Sequence, residues 1–529
     1  MMRKSTLVFV FVIVIAVLST ATPYRTYYES YRSVPVLPPY EEIIDLQNFE
    51  ADEYPALPEA FFLEGKQPIL LPKSGATWTI EIPQSGLYTL FIEYLYYTEG
   101  QEGLQLLIDG NLPFDEAKQI CPSRFYQNEL EDRDQPIRSS SLAPTPAIVW
   151  QSRFVGDTSG RSDYPFKIYL TKGVHKITLK PNGDKWFINQ LKIASYQNPP
   201  SLLEYRKLYP TELLPNKDTV ISLDGASYRY QYGEVDAMVY MDLEADPVRD
   251  YNALGRWRYP GNGVIWEFDV EEEGYYRVAF RYALGDIPLL ENPLGRLGYK
   301  GFVHSERMLL LDGKLPYKEA EVLVFQPTDG GQRRDSNYWY LYSPIVGKQK
   351  NETFYLELYL TKGRHNLELI PTVKNRLPII RSLEDLLTDV KEIEGNFNRI
   401  LGQNPNPNLF YRLDTRTIAS IKGLLSEVLL LKKQVNSFSR GSQVERGLDD
   451  ILNRLTNLAM LKQISTAHLV EIRNIGDSIQ RMLINVELMP LNIDSIELFS
   501  PTNDKIKVNY RDDSFWGKLK NFLRYRVNI

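Results

Sequence analysis

Residues 169–179 read YLTKGVHKITL, and residues 359–369 read YLTKGRHNLEL. Thr171, Lys172, Gly173 and His175 of the first stretch are answered by Thr361, Lys362, Gly363 and His365 of the second. Two further landmarks recur in the same order. WTIEIPQSGLYTLFIEY, Trp78 to Tyr94, is answered by WEFDVEEEGYYRVAFRY, Trp266 to Tyr282. LLIDGNLPFDEA around Asp109 and Gly110 is answered by LLLDGKLPYKEA around Asp312 and Gly313. Self-similarity of this kind marks an internal duplication. The spacing between landmarks differs, with extra residues between Tyr282 and Arg307 in the second copy and between Ala117 and Tyr164 in the first. Loops absorb insertions while strands do not.

Within the landmarks apolar residues alternate. Trp78, Ile80 and Ile82 stand against Thr77, Thr79 and Glu81, and Trp266, Phe268 and Val270 against Glu267 and Asp269. Period two predicts half-buried strands. Gly86 and Gly274 sit between paired runs, where a hairpin turn favours a residue tolerant of positive φ, and the Asp-Gly pairs mark further turns. Each copy therefore reads as an antiparallel, jelly-roll-like β-sandwich. Trp78, Trp266, Tyr88 and Tyr276 fall on the apolar faces and read as core.

After Pro378 the pattern becomes helical. Ser382 and Asp385 suggest a capping box ahead of Leu383, Leu386, Leu387, Val390, Ile393 and Phe397, and amphipathic runs follow at Ile418 to Val435, Val444 to Leu461 and Ile472 to Val486. Four such runs suggest an antiparallel bundle. PLNIDSIELFSP, from Pro490, then alternates again and looks like the first copy's closing strand, WFINQLKIA from Trp186. The fold class expected is mainly β, with two tandem sandwiches and a helical bundle inserted before the last strand of the second. The division expected is a signal peptide over 1–21, a linker over 22–40, the first sandwich over 41–196, a linker over 197–217, the second sandwich over 218–381 plus 490–500, the helical insertion over 382–489 and a basic amphipathic tail over 501–529.

The chain has 529 residues, 12% of them aromatic, including 35 Tyr. Arg3 and Lys4 precede an apolar stretch from Leu7 to Leu18 and the small residues Ser19, Thr20 and Ala21, the order of a secretory signal. Extracellular or cell-surface localisation is expected. Cys121 is the single cysteine, which excludes a disulfide framework. The formal charge of −6 becomes −8 without Arg3 and Lys4, which argues against general nucleic-acid binding. In the tail, Phe515, Trp516, Leu519, Phe522 and Leu523 at helical spacing with Lys518, Lys520, Arg524 and Arg526 suggest a partner or peripheral membrane contact.

No GxSxG, HExxH, P-loop, dinucleotide fingerprint or Cys/His cluster appears, so acyl transfer, metal hydrolysis and nucleotide chemistry lack an anchor. His175 and His365 occupy the same hairpin in both copies and read as structural; His304 and His468 stand alone. A glycosidase needs only two placed carboxylates and stays open as a third class. Loop aromatics and polar side chains suited to sugar rings are Arg124, Tyr126 and Trp150 in the first copy and Trp257, Tyr259, Arg334, Asp335 and Trp339 in the second. Glu50 or Asp52 with Asn189, and Asp224 with Asp494, are candidate oxygen ligands for a structural Ca2+.

DGNLPFDEA, DGKLPYKEA, the YLTKGxH hairpins, GQNPNPNLFYRLD before the helices and PLNIDSIEL after them resemble the N-terminal region of large extracellular solute-binding proteins of bacterial sugar ABC transporters, from Glu41 to Ile529. The resemblance implies tandem carbohydrate-binding-module-like, galactose-binding-like sandwiches, a helical segment and then a two-lobed solute-binding domain, which is expected to be absent here after FWGKLKNFLRYRVNI. The expected function is therefore a non-catalytic extracellular protein that binds an oligo- or polysaccharide beside a separately encoded transporter component. The alternative is a structural or adhesion component of the envelope that uses its sandwiches for protein contacts.

Overall fold

The computed structural model describes residues 22–55, 67–97, 103–122, 124–127, 145–183, 185–210, 212–233, 236–242, 249–284, 288–289, 292–296, 304–326, 340–349, 352–402, 404–438, 442–506 and 508. The signal segment, the tail from Phe515 and the candidates Arg334, Asp335 and Trp339 lie outside them.

Eleven strands come from the first copy: β1 (Glu41–Ile43), β2 (Ile69–Leu70), β3 (Ala76–Ile82), β4 (Gly86–Tyr96), β5 (Leu104–Ile108), β6 (Phe125–Gln127), β7 (Thr145–Ala147), β8 (Gln151–Phe154), β9 (Ile168–Leu170), β10 (Gly173–Pro181) and β11 (Trp186–Ser195). The larger sheet runs β1-β11-β4-β8, with β2 on β11 and β9 on β4; the facing sheet is β3-β10-β5. The expected alternation holds in β3, where Ala76, Trp78, Ile80 and Ile82 are buried and Thr79 and Glu81 are exposed. Every pairing in both sheets is antiparallel.

The second copy supplies β12 (Val220–Asp224), β13 (Tyr230–Tyr232), β14 (Asp236–Asp242), β15 (Arg249–Trp257), β16 (Gly263–Val270), β17 (Gly274–Ala283), β18 (Pro288–Leu289), β19 (Asn292–Arg296), β20 (Ser305–Leu311), β21 (Leu323–Phe325), β22 (Tyr340–Tyr342), β23 (Ile345–Gln349), β24 (Glu352–Tyr355), β25 (Glu357–Leu360) and β26 (Gly363–Pro371). Two short strands, β27 (Tyr411–Arg412) and β28 (Gln463–Ile464), pair at the end of the helical region, and β29 (Leu491–Phe499) returns to the sandwich. β29 runs between β15 and β17, with Ile493 opposite Leu254 and Leu498 opposite Val278. Ile493, Ile496 and Leu498 are fully buried, so the strand that follows the helices completes the second core.

Residues 22–40 and 197–217, read from sequence as linkers, each carry a docked helix: α1 (Tyr24–Glu29) and α2 (Leu202–Leu208). Their contacts match. The Tyr169 N–H donates to Tyr27 Oη at 2.8 Å, and the Tyr359 N–H to Tyr205 Oη at 3.0 Å. Tyr31 stacks on Tyr169 at 4.3 Å between centroids and Tyr209 on Tyr359 at 4.2 Å. The duplicated unit thus begins before its first strand.

The histidine hairpins also superpose in chemistry. Asp109 and Asp312 hold φ 51° ahead of Gly110 and Gly313 in left-handed turns. From there Asp109 Oδ2 lies 2.8 Å from His175 Nδ1, and Asp312 Oδ2 lies 2.8 Å from His365 Nδ1. The other ring nitrogen meets the carbonyl of Thr171 or Thr361 at 2.8 Å. Gly274 has the positive φ expected of it, whereas Gly86 does not; a Cβ at Gly86 would lie 2.5 Å from Leu37 Cδ1, so close packing explains that glycine.

The helices are α3 (Leu377–Leu401), α4 (Thr415–Phe438), α5 (Gln443–Ala459) and α6 (Thr466–Glu487), packed around Phe397, Ile421, Val428, Ile451, Ile475 and Ile479. The Ser382–Asp385 box is not a start. The helix begins earlier with Pro378 in its first turn, where a missing N–H costs nothing, and Ser382 Oγ donates to the Pro378 carbonyl instead. No described helix is long and apolar enough to cross a membrane.

Candidate functional site

The long first-copy loop between Ala117 and Tyr164 leaves its own sandwich. Its strands β6 and β7 add to the edge of the second copy's sheet, which runs β21-β20-β26-β16-β13-β6-β7, with Tyr126 opposite Gln231. Phe125 is buried edge-on against Tyr232, 5.4 Å between centroids. β8 then returns to the first sandwich beside β4. A seam between the copies results.

The seam is closed by a buried charge pair. Arg153, on β8, places Nη2 3.3 Å from Glu368 Oε1 on β26, and Tyr232 Oη donates to the same oxygen at 2.6 Å. All three side chains are buried, and the guanidinium lies over the Tyr232 ring. Burial is the largest influence and opposes the charge on Arg153, but Glu368 together with Tyr232, Tyr164 and Tyr94 outweighs it and holds the guanidinium pKa above its ordinary value. Tyr164 Oη donates to the Gly313 carbonyl at 3.0 Å, and Lys374 reaches Asp163 at 2.9 Å. Burial works against the Asp163 carboxylate, yet Lys374 and Lys167 keep its pKa below the usual range. Backbones also touch: a Cβ on Gly261 would lie 2.0 Å from the Thr158 carbonyl.

A second polar cluster roots the helices. Arg307 donates to the carbonyls of Trp257 at 3.0 Å and Met489 at 2.7 Å, and Arg376 to those of Val486 at 2.7 Å and Leu488 at 3.0 Å. Both guanidiniums are fully buried and receive carbonyls from the C-terminal end of α6, where cations are favoured.

Against this frame the sequence candidates separate. Arg124 lies over the ring of Tyr126 at 4.8 Å, on the second strand from the end of the shared sheet, and both are half-buried. Arg124 Nε is enclosed and has no acceptor among the described residues. Trp150, also half-buried, sits four residues after Pro146, the register partner of Tyr126. Arg124 and Tyr126 are thus brought together. Tyr259 is 41% exposed in the turn between β15 and β16. Trp257 is a correction. It lies on β15 rather than in a loop, is 0% exposed, and has Arg307 over its ring at 4.2 Å, so no sugar can stack on it.

The calcium sets are not assembled. Glu50 bridges to Thr77 and its carboxylate meets Lys176 at 2.8 Å, while Asn189 donates to Glu93 and Asp52 is exposed. Asp224 and Asp494 do come near one another, since the Gly225 N–H donates to the Asp494 carbonyl at 2.6 Å. Their carboxylates, however, accept from Ala226 N–H and pair with Arg281 at 3.1 Å. Among the described residues no three His, Cys, Asp or Glu side chains could hold a metal ion. The donors do not fit a calcium site. Cys121 is buried, and burial pushes its thiol pKa up to about 12.

The seam, its two arginine clusters and the composite sheet escaped sequence reading; the alternating tyrosines of YRYQY around Gln231 were the available signal.

The fold defines a class: a mainly-β protein of two antiparallel sandwiches with a helical bundle set into the second. No protein-family model matches the chain, and no curated protein matches it in sequence. Partial structural likenesses include a Paenibacillus sp. cycloisomaltooligosaccharide glucanotransferase complexed with cycloisomaltoheptaose, 19% identical over 31% of this chain and 17% of that one, TM-score 0.17. A ruminal GH26 endo-beta-1,4-mannanase is 13% identical over 35% of this chain and 31% of that one, TM-score 0.19. The exo-beta-1,3-galactanase of Phanerochaete chrysosporium is 13% identical over 33% of this chain and 26% of that one, TM-score 0.17. The chain spans less than a third of the length of each.

Proposed function

We propose that this is a non-catalytic, exported carbohydrate-binding protein that works beside a sugar transporter. The observation that carries the reading is the half-buried pair Tyr126 and Arg124, whose guanidinium lies 4.8 Å from the ring centroid on one side and leaves the opposite side of the ring for a sugar. Sugar recognition needs an apolar face for the ring and a fixed donor for a hydroxyl. The non-catalytic part is supported by the buried carboxylates. Glu368 is held by Arg153, Glu357 by Arg206 and Arg277, and Glu306 lies 4.0 Å from Arg376, so each is engaged by a cation of the fold. Export rests on the N-terminal pattern of Arg3, Lys4 and the apolar run, and the transporter link on the quoted resemblance.

Retention on insoluble polysaccharides and on a glycan array tests the reading. Tyr126→Ala is expected to weaken retention about tenfold or more, the loss of one stacking anchor. No retention on any glycan by the parent protein would defeat it, and release of reducing sugar would assign a glycosidase instead.

A further inference from the structure

The far end of the helical bundle gathers several exposed apolar side chains beside basic ones. α3 runs away from the sandwich for 25 residues, about 37 Å at 1.5 Å per residue. There the loop from Gly402 to Asp414 meets the α5–α6 connection through β27 and β28, and the Leu413 N–H donates to the Lys462 carbonyl at 3.0 Å. This tip presents Leu409 at 51%, Phe410 at 63%, Met460 at 74% and Val470 at 52% exposure. Large apolar side chains this open at one convex end are not core, and the neighbouring Leu401, Leu413 and Ile464 already close the bundle beneath them.

The charge around them is one-sided. Between 399 and 416 and between 460 and 470 stand Arg399, Arg412, Arg416 and Lys462 against the single carboxylate of Asp414, in a chain whose formal charge is −6. Asp414 is occupied at the start of α4, where its oxygens accept from Thr417 N–H at 2.6 Å and from Thr417 Oγ1 at 3.1 Å. Arg416 has only an exposed contact with Glu392 at 3.8 Å, and among the described residues Arg412 and Lys462 have no carboxylate partner. Exposed Phe, Leu and Met beside the cations Arg412 and Lys462 match an anionic bilayer surface: apolar side chains enter the acyl boundary while guanidinium and ammonium groups stay with the phosphates.

We propose that the bundle tip, Leu409, Phe410 and Met460 with Arg412 and Lys462, docks on an anionic phospholipid surface and so holds the two sandwiches away from the membrane. The reading is independent of any saccharide.

The test reads the tip itself. Cys121 is 1% exposed, so Met460→Cys in the full chain takes a polarity-sensitive fluorophore selectively. Phosphatidylcholine vesicles containing phosphatidylglycerol are expected to shift its emission to the blue, less so at high salt, and pure phosphatidylcholine to leave it nearly unmoved. Arg412→Glu with Lys462→Glu is expected to raise the lipid concentration at half-shift at least about tenfold. A probe at Leu430→Cys, exposed on the flank of α4, should not shift. Absence of a shift at Met460, a shift indifferent to the charge reversals, or an equal shift at Leu430 would overturn the proposal. So would a shift with host membranes but not with protein-free vesicles of their extracted lipid, which would assign the tip to a membrane protein. Circular dichroism of each variant establishes that the bundle is folded.

Discussion

The two sandwiches solve the same closing problem at different distances. In the first, β10 ends at Pro181 and β11 begins at Trp186; in the second, β26 ends at Pro371 and β29 begins only at Leu491. Both late strands nevertheless lie along the corresponding long strand, β11 on β4 and β29 on β17. The vacancy in the sheet decides where the strand goes, and sequence distance hardly matters. Loop-closure cost grows slowly with length, and here the intervening residues are folded so that their two ends meet. Arg376, just before α3, binds the carbonyls of Val486 and Leu488, at the C-terminal end of α6.

The sharpest way to break this comparison is to disable the distant strand. Ile496→Asp puts a carboxylate in a fully buried position and is expected to abolish cooperative unfolding of the second sandwich, read by near-UV circular dichroism in urea. Replacing residues 382–486 by a short Gly/Ser connection is expected to leave that transition in place. Loss of the transition there would show that the bundle, and not the sheet, positions β29.

The seam offers the next largest effect. Glu368→Gln leaves Arg153 buried without a counter-charge and is expected to cost about 3–5 kcal/mol. Arg153→Met with Glu368→Met should recover most of it, because an apolar pair needs no desolvation. Urea titration of the single and double variants checks this, and separation into two transitions in the single variant would locate the loss between the copies. Trp257→Ala, by contrast, is expected to cost about 3–5 kcal/mol of stability through a core cavity. Any glycan retention should survive it once the protein is folded at low temperature, which distinguishes Trp257 from Tyr126.

The smallest effect is pH-dependent. The hydrogen bond to Asp312 raises the His365 pKa above 6.5 in the folded state. Both ring nitrogens face acceptors, and only the imidazolium can donate to both. The stabilisation is therefore complete below about pH 6.5 and is lost as pH rises through the higher folded value. His365→Asn should flatten that part of the stability–pH curve, measured as urea midpoints between pH 5.5 and 8.5.

What the sequence revealed follows from locality. Strands such as Trp78 to Ile82 announce themselves because burial alternates within a few residues, and the helices because their apolar stripe repeats within one turn. Trp257 misled because Pro260 and Gly261 follow it closely, and turn residues say nothing about the strand that ends there. The β6–β7 hairpin was hidden because its partner, Gln231, is 105 residues from Tyr126, and three-residue strands carry no period. Arg153 and Glu368 look like any surface charges until the fold buries them. Arg124, Tyr126 and Trp150 were legible as residue types, while the placing of Tyr126 on a sheet shared by both copies was not.

The late arrival of β29 also orders the protein's birth. A chain synthesised from its N-terminus completes the first sandwich's sheets by residue 195, yet the second stands with β15 and β17 unjoined until residue 499 has emerged. For the more than one hundred residues in between, two open strand edges offer themselves to any neighbouring chain. The nascent protein at that stage is the form most in need of a chaperone, and β29 ends its exposure by filling the gap from within.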